Sequence, residues 1–194
     1  MGKPEEKGNK EEAFEQRQTQ TSIIREKVII FVTAVIFAAD QITKALVVFH
    51  FVPKSEIATE IARKNIVIIK GFLDIIHRTN DGAAFSIMAG KNNLLAVISF
   101  FAMGGLIWFR EHFDNGTRNG KIALGLLMGG ILGNLLDRVF RGSVVDFIRV
   151  YIERRGGGIS EWPAFNIADA AICTGVGLLF YIAWKEESRK KEPS

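Results

Sequence analysis

Cysteine is almost missing from this chain. Cys173 stands alone among 194 residues, which rules out an internal disulfide. The three histidines, His50, His77 and His112, are scattered, without zinc-ligand spacing and outside the acid-rich stretch described below. Cys173 itself sits in an apolar run, so a Cys-His or Ser-His nucleophilic pair has no support. No basic patch interleaved with aromatics occurs, which argues against nucleic acid as a partner. The formal net charge of +4 and pI near 9.3 come from Lys and Arg flanking apolar runs, which suits anionic lipid headgroups. Residues 1–27 hold few large apolar side chains beyond Phe14, Ile23 and Ile24. They lack the apolar core and small-residue cleavage site of a secretory signal, so the first apolar run is expected to be retained. They read as a disordered or loosely helical cytoplasmic tail.

What the chain has in abundance is hydrocarbon. Hydrophobic residues make up 48% and mean hydropathy is +0.16 despite charged ends, more than a soluble domain usually carries. Four runs approach or reach the roughly 20 residues that cross a bilayer: 28–51, 93–110, 121–136 and 165–184. An all-α membrane protein of four transmembrane helices is expected, occupying 28–184 and followed by a charged cytoplasmic tail, 185–194. Four spans put both termini on one side, taken as cytoplasmic from the basic tails and the basic 111–120 connection. Loops 52–92 and 139–164 then face outward. In the first, Ile57 and Ile61 recur at helical spacing after Pro53, 65–76 is rich in β-branched residues and predicts strands on the membrane surface, and Asn80-Asp-Gly is turn chemistry. The second carries the run Gly156 to Gly158, with Trp162-Pro-Ala as an interfacial element.

Charges within these apolar surroundings are the informative residues, because an acid near hydrocarbon costs roughly 2.5–3.5 kcal/mol by insertion scales and is a functional candidate by default. Asp40 and Lys44 are one helical turn apart in the first span and read as an i,i+4 pair near the interface, with Lys44 snorkelling. Gly125, Gly129 and Gly133 repeat every four residues in the third, giving a smooth helix face for another helix or a bound peptide. Asn134 and Asp137 share one helix face, and Asn166 and Asp169 repeat the spacing on the fourth span, so each Asn could orient its neighbouring carboxylate or a nearby backbone group. Asp146 lies between them in Val-Val-Asp-Phe-Ile. Asp137 adjoins Arg138 and reads as its ion-pair partner. Two carboxylates brought close cannot both ionise readily: one retains a proton, and the pair then offers a general base and a general acid for attack of water on a peptide carbonyl. Asp146 and Asp169 are the candidate pair.

These residues resemble a known family. Asp40-Gln-x-x-Lys44, Asn80-x-Gly-Ala-Ala-Phe-Ser86, Gly133-Asn-x-x-Asp-Arg138 with Gly142-x-Val-Val-Asp-Phe147, and Phe165-Asn-x-Ala-Asp169 are similar, in order, to the signature blocks of lipoprotein signal peptidase, or signal peptidase II. The resemblance spans about 28–184. It implies a four-helix aspartyl endopeptidase of the bacterial inner membrane with a small extracytoplasmic β-rich cradle. Its substrates would be prolipoproteins bearing a diacylglyceryl group on the lipobox cysteine, cut just before that cysteine. Membrane lipids surround it, globomycin inhibits it, no cofactor is implied, and a monomer is expected. Carried over block by block, the catalytic dyad falls on Asp146 and Asp169, with Asn80, Asn134, Arg138 and Asn166 as supporting positions and Asp40 and Asp137 as structural acids. The chain departs from the pattern at Lys70, where proline is common, and in the inserted Gly156–Gly158 run. The Gly-x-Gly-Asp signature of presenilin- and prepilin-peptidase-like proteases is missing. A proton- or cation-coupled carrier is the competing class, and it would need acids spread across membrane depth.

Overall fold

A computed structural model of the chain describes residues 4–51, 65–82, 88, 90–111 and 117–191. Eight elements follow in order: α1 (Pro4–His50), β1 (Ile66–Ile69), β2 (Leu73–Asn80), α2 (Asn92–Trp108), α3 (Arg118–Phe140), β3 (Val144–Glu153), β4 (Ile159–Glu161) and α4 (Ile167–Lys191). Helix α1 starts at Pro4, so the leading segment takes the helical of its two expected states; its Glu, Lys and Gln are all good helix formers. The helical turn expected near Ile57 and Ile61 lies outside the described residues, as do the residues from Ala83 to Ser86 of the second signature block.

Among the described residues, three stretches are long and apolar enough to span a membrane: Glu26–His50, Arg118–Phe140 and Ile167–Arg189. Helix α2, at 17 residues, reaches the lower limit of a span. Its surface is hydrocarbon turned outward: Phe100, Phe101 and Trp108 are 65%, 70% and 81% exposed, which suits lipid as the surrounding solvent and not water.

Helix α3 is the hub, packing on α1, α2 and α4. Its glycines explain how. A Cβ on Gly125 would fall 2.6 Å from Val32 Cβ, and one on Gly129 would fall 2.9 Å from the Thr33 carbonyl, so this face is closed by α1 and not held open for a peptide. Gly130 turns the other way, its missing Cβ leaving room for the Ala168 carbonyl and Ile172 of α4. Small residues let the helix backbones meet where hydrophobic driving force between helices is absent.

The strands form one antiparallel sheet in the order β1-β2-β3-β4. Strands at 65–76 were expected; β3 was not, because its mixed run of Arg149, Tyr151 and Glu153 reads as a polar connection. Alternation along β3 explains its two faces. Val145 and Phe147 pack with Val47 and Phe51 at the end of α1, whereas Val144 and Asp146 face a cavity. Beyond the site, buried Asp74 accepts from Asn65 Nδ2 at 2.8 Å and meets Arg149 and Tyr151, while Arg149 also grips Glu161 at 2.7 Å and so holds the β3–β4 hairpin. Partial burial opposes ionisation of Glu161, but Arg149 and Arg78 outweigh it and hold this carboxyl below its usual range.

Candidate active site

Asp146 is carried by β3 and is 2% exposed. Asn80, at the end of β2, pairs with Val144, which makes Asp146 its diagonal cross-strand neighbour and within reach. Asn80 Nδ2 donates to Asp146 Oδ2 at 2.9 Å, and its own Oδ1 accepts from the Gly82 N–H at 3.0 Å. That backbone donor fixes which end of the amide faces the acid. The other oxygen, Oδ1, accepts from Asn166 Nδ2 at 2.9 Å. Burial, and after it the charge of Asp169, push Asp146 up to about 7 against the pull of Asn80, Lys44 and Asn166.

Asp169 is positioned by helix capping. Asn166 precedes the first residue of α4; its Oδ1 accepts from the Asp169 N–H at 2.9 Å, and Asp169 Oδ2 accepts from the Asn166 N–H at 3.2 Å. This reciprocal pair is a capping box with Asn and Asp in place of the usual Ser and Glu. Asp169 Oδ1 is left for Asn134 Nδ2, 2.7 Å away on α3. Of the expected arrangement, each Asn orienting its neighbouring carboxylate or a nearby backbone group, the structure shows the Asn166–Asp169 half. Asn166 does cap Asp169, but its side-chain amide also donates to Asp146, with the Asn134 side chain and the Val145 carbonyl as further acceptors, and Asn134 crosses to Asp169 and not to Asp137 (Asn134 and Asn166 are both buried).

Asp137 and Asp40 meet elsewhere. Lys44 Nζ lies 2.8 Å from Asp40 Oδ2 and 2.9 Å from Asp137 Oδ2, and all three side chains are fully buried. The expected i,i+4 pair is present, but the expected snorkelling is corrected: a lysine with two carboxylates at hand is satisfied inside and has no need to reach the interface. The expected Asp137–Arg138 pair is corrected too. Successive residues on a helix point in different directions, and Asp137 instead pairs with Arg141 at 3.0 Å and accepts from the Val145 N–H at 3.3 Å. Arg138 turns to the Gly82 and Asn134 carbonyls, at 3.2 and 3.4 Å, leaving a buried Nε without a partner among the described residues. Asp40 Oδ1 also accepts from the Ala168 N–H at 3.0 Å. Asp40, Asp137 and Asp169 thus converge at one level, where an ion relay would spread them across membrane depth.

A cavity of about 420 Å³ opens on the two acids, lined by Asn80, Arg138 and Asp146 on its polar side and by Val144, Phe165 and Ile172 among its apolar residues. Trp162 and Cys173 also line it. By sequence, Trp162 reads as part of an interfacial element and Cys173 as part of an apolar run without a nucleophilic partner; the signal for Cys173 as a lining residue is its position one turn beyond Asp169 on the same helix face.

A family profile described as signal peptidase (SPase) II matches residues 32–185. The chain belongs to the signal peptidase II family. Among its relatives, the lipoprotein signal peptidase of Halalkalibacterium halodurans is 37% identical over 161 residues, covering 83% of this chain and 94% of that protein. That of Bacillus subtilis is 36% identical over 161 residues, covering 83% and 96%. A bacterial membrane enzyme solved by the in meso method at 2.3 Å resolution superposes with a TM-score of 0.72 at 30% identity, covering 86% of this chain and 93% of that one. Membership of the signal peptidase II family makes this chain a protease, and the mostly helical fold with its small antiparallel sheet agrees with the architecture expected from the sequence.

Proposed function

We propose that this protein is an aspartic endopeptidase that removes the signal peptide from diacylglyceryl-modified prolipoproteins, cutting before the lipidated cysteine, with Asp146 and Asp169 as its catalytic dyad. The observation that carries the reading is the convergence of these two carboxylates, each accepting two hydrogen bonds, on one largely apolar cavity. Asp146, raised to about 7, retains a proton in part of the population at neutral pH. Asp169 acts as the base: it takes a proton from water, and the water oxygen attacks the scissile carbonyl carbon. Asp146 donates its proton to the developing oxyanion. Asp169 then passes the proton it took from water to the leaving nitrogen as the carbon–nitrogen bond breaks, and Asp146 recovers a proton as the carbonyl of the new carboxyl group reforms. Asn80, Asn134 and Asn166 hold the carboxylates, and the Arg138 guanidinium supplies a donor for substrate carbonyls. Asp40 and Asp137 are structural acids.

In this reading the enzyme is a monomer of the bacterial cytoplasmic membrane with both termini cytoplasmic, and the sheet and dyad lie at the extracytoplasmic face. Globomycin inhibits the enzyme. The test is cleavage of a purified diacylglyceryl prolipoprotein by wild type, Asp146→Asn and Asp169→Asn. Cleavage by wild type alone, restricted to lipidated substrate and blocked by globomycin, is expected. Turnover by either variant overturns the dyad, and turnover of unlipidated substrate overturns the specificity.

A further inference from the structure

Lys44 sits on α1, which contributes none of the residues lining the cavity. Its ammonium nevertheless meets three acceptors: Asp40 Oδ2 at 2.8 Å, Asp137 Oδ2 at 2.9 Å and Asn134 Oδ1 at 3.0 Å. The carboxylates offset its charge. The third acceptor is neutral, and it is the informative one. An ammonium has three donors and no acceptor, so only the oxygen of the Asn134 amide can face it. The planar amide then sends Nδ2 to the far side, where it donates to Asp169 Oδ1 at 2.7 Å. A turned amide would set its N–H groups against a buried cation and leave Asp169 facing an oxygen. Asn166 Nδ2, 3.2 Å from the same Oδ1, favours the same orientation but is divided among Asn134, Val145 and Asp146, three acceptors for two protons. The close approach that brings Lys44 to Asn134 comes from the glycine face, since a Cβ on Gly133 would fall 2.5 Å from Asp40 Oδ2.

We propose that Lys44 is a positioning residue of the peptidase, which fixes the orientation of the Asn134 amide from α1 and thereby holds Asp169 as the hydrogen-bond-accepting, ionised member of the dyad. This rests on the dyad reading and deepens it. A purely structural lysine would only offset Asp40 and Asp137; a positioning lysine acts through Asn134, and the two differ in how their losses combine.

The test uses a charge-balanced removal. D40N leaves Lys44 on Asp137 and Asn134, and D40N/K44M removes the cation while Arg141 still pairs with Asp137. Full-length proteins are purified in detergent and compared for kcat and KM on diacylglyceryl prolipoprotein, with thermal melts as the record of folding. D40N is expected to stay within about threefold of wild type in kcat, and D40N/K44M to fall about a hundredfold below D40N with KM within about threefold, in the range of a mispositioned acid–base group. In an N134A background the same removal of Lys44 is expected to cost less than about threefold, because its effect has lost its intermediary. Additive losses in the two backgrounds, a loss confined to KM, or a D40N/K44M protein that does not fold would each make Lys44 a structural residue and overturn the inference. Wild type and D169N assayed alongside separate this from failure of the dyad reading, which appears as no cleavage by wild type or as cleavage by D169N.

Discussion

Removing the Asn80 amide tests the protonation logic of the site more sharply than removing either acid. Asn80 Nδ2 lies 2.9 Å from Asp146 Oδ2 and favours its ionised form. A hydrogen bond to a charged group contributes about 1.5–3 kcal/mol, and 1.36 kcal/mol corresponds to one pH unit, so its loss raises Asp146 by about one to two units. Asn166 still donates to the other oxygen, which keeps the carboxyl in place. If protonated Asp146 serves as the acid, wild-type kcat/KM falls as pH rises through about 7. In Asn80→Ala the acid stays protonated to higher pH, and the descending limb moves to about 8–9. The assay is kcat/KM for a fluorogenic lipopeptide with a diacylglyceryl cysteine, measured from acid to alkaline pH. Loss of the turn between Asn80 and the Gly82 N–H lowers the height of the curve but not the position of its limb. A limb that stays in place, or moves to lower pH, refutes Asp146 as the acid.

Asp146→Asn and Asp169→Asn should each lower kcat by at least about a hundredfold while leaving membrane insertion intact, which cleavage assays and membrane fractionation will read. Gly130→Ala should destabilise by about 1–3 kcal/mol, because the new Cβ meets the Ala168 carbonyl at 2.5 Å and Ile172 Cγ1 at 2.7 Å; thermal melts in detergent check this. A maleimide on Cys173, the single cysteine, should slow cleavage by filling the cavity beside Asp169, and Cys173→Ser should remove that sensitivity.

Much of this architecture is legible in the residues. The apolar runs give the helices, β-branched density gives β1 and the first half of β2, and the glycine repeat gives a close-packed face on α3 without naming α1 as its partner. Strand β3 was hidden because Val144, Val145, Asp146 and Phe147 are all buried, so no polar/apolar alternation marks the strand where it matters. The site residues were legible as a set, through their ordered blocks, but their pairing was not. Asn134 reaches Asp169 across 35 positions and Lys44 reaches Asp137 across 93, and no local spacing encodes such contacts. Asp137 was assigned to the adjacent Arg138 when Arg141, one turn away on the same face, was the better local candidate. Asp74, buried between Leu73 and Ile75 in the apolar first half of β2, carries the same signal, since an acid in that setting calls for a partner.

Phe165 exchanges backbone hydrogen bonds with β3: its carbonyl accepts from Phe147 and Ile148 at 3.1 and 2.8 Å, and its N–H donates to Ile148 at 3.1 Å. The chain entering α4 is thus stitched to the strand that bears Asp146. Bilayers of different thickness impose different helix tilts through hydrophobic mismatch, but with strand and helix end tied, the two acids turn together as one wedge and the gap between them is preserved. Acyl-chain length in the host membrane should therefore alter how deep a substrate must sit to enter the cavity, appearing in KM, while kcat holds nearly constant from thin membranes to thick ones.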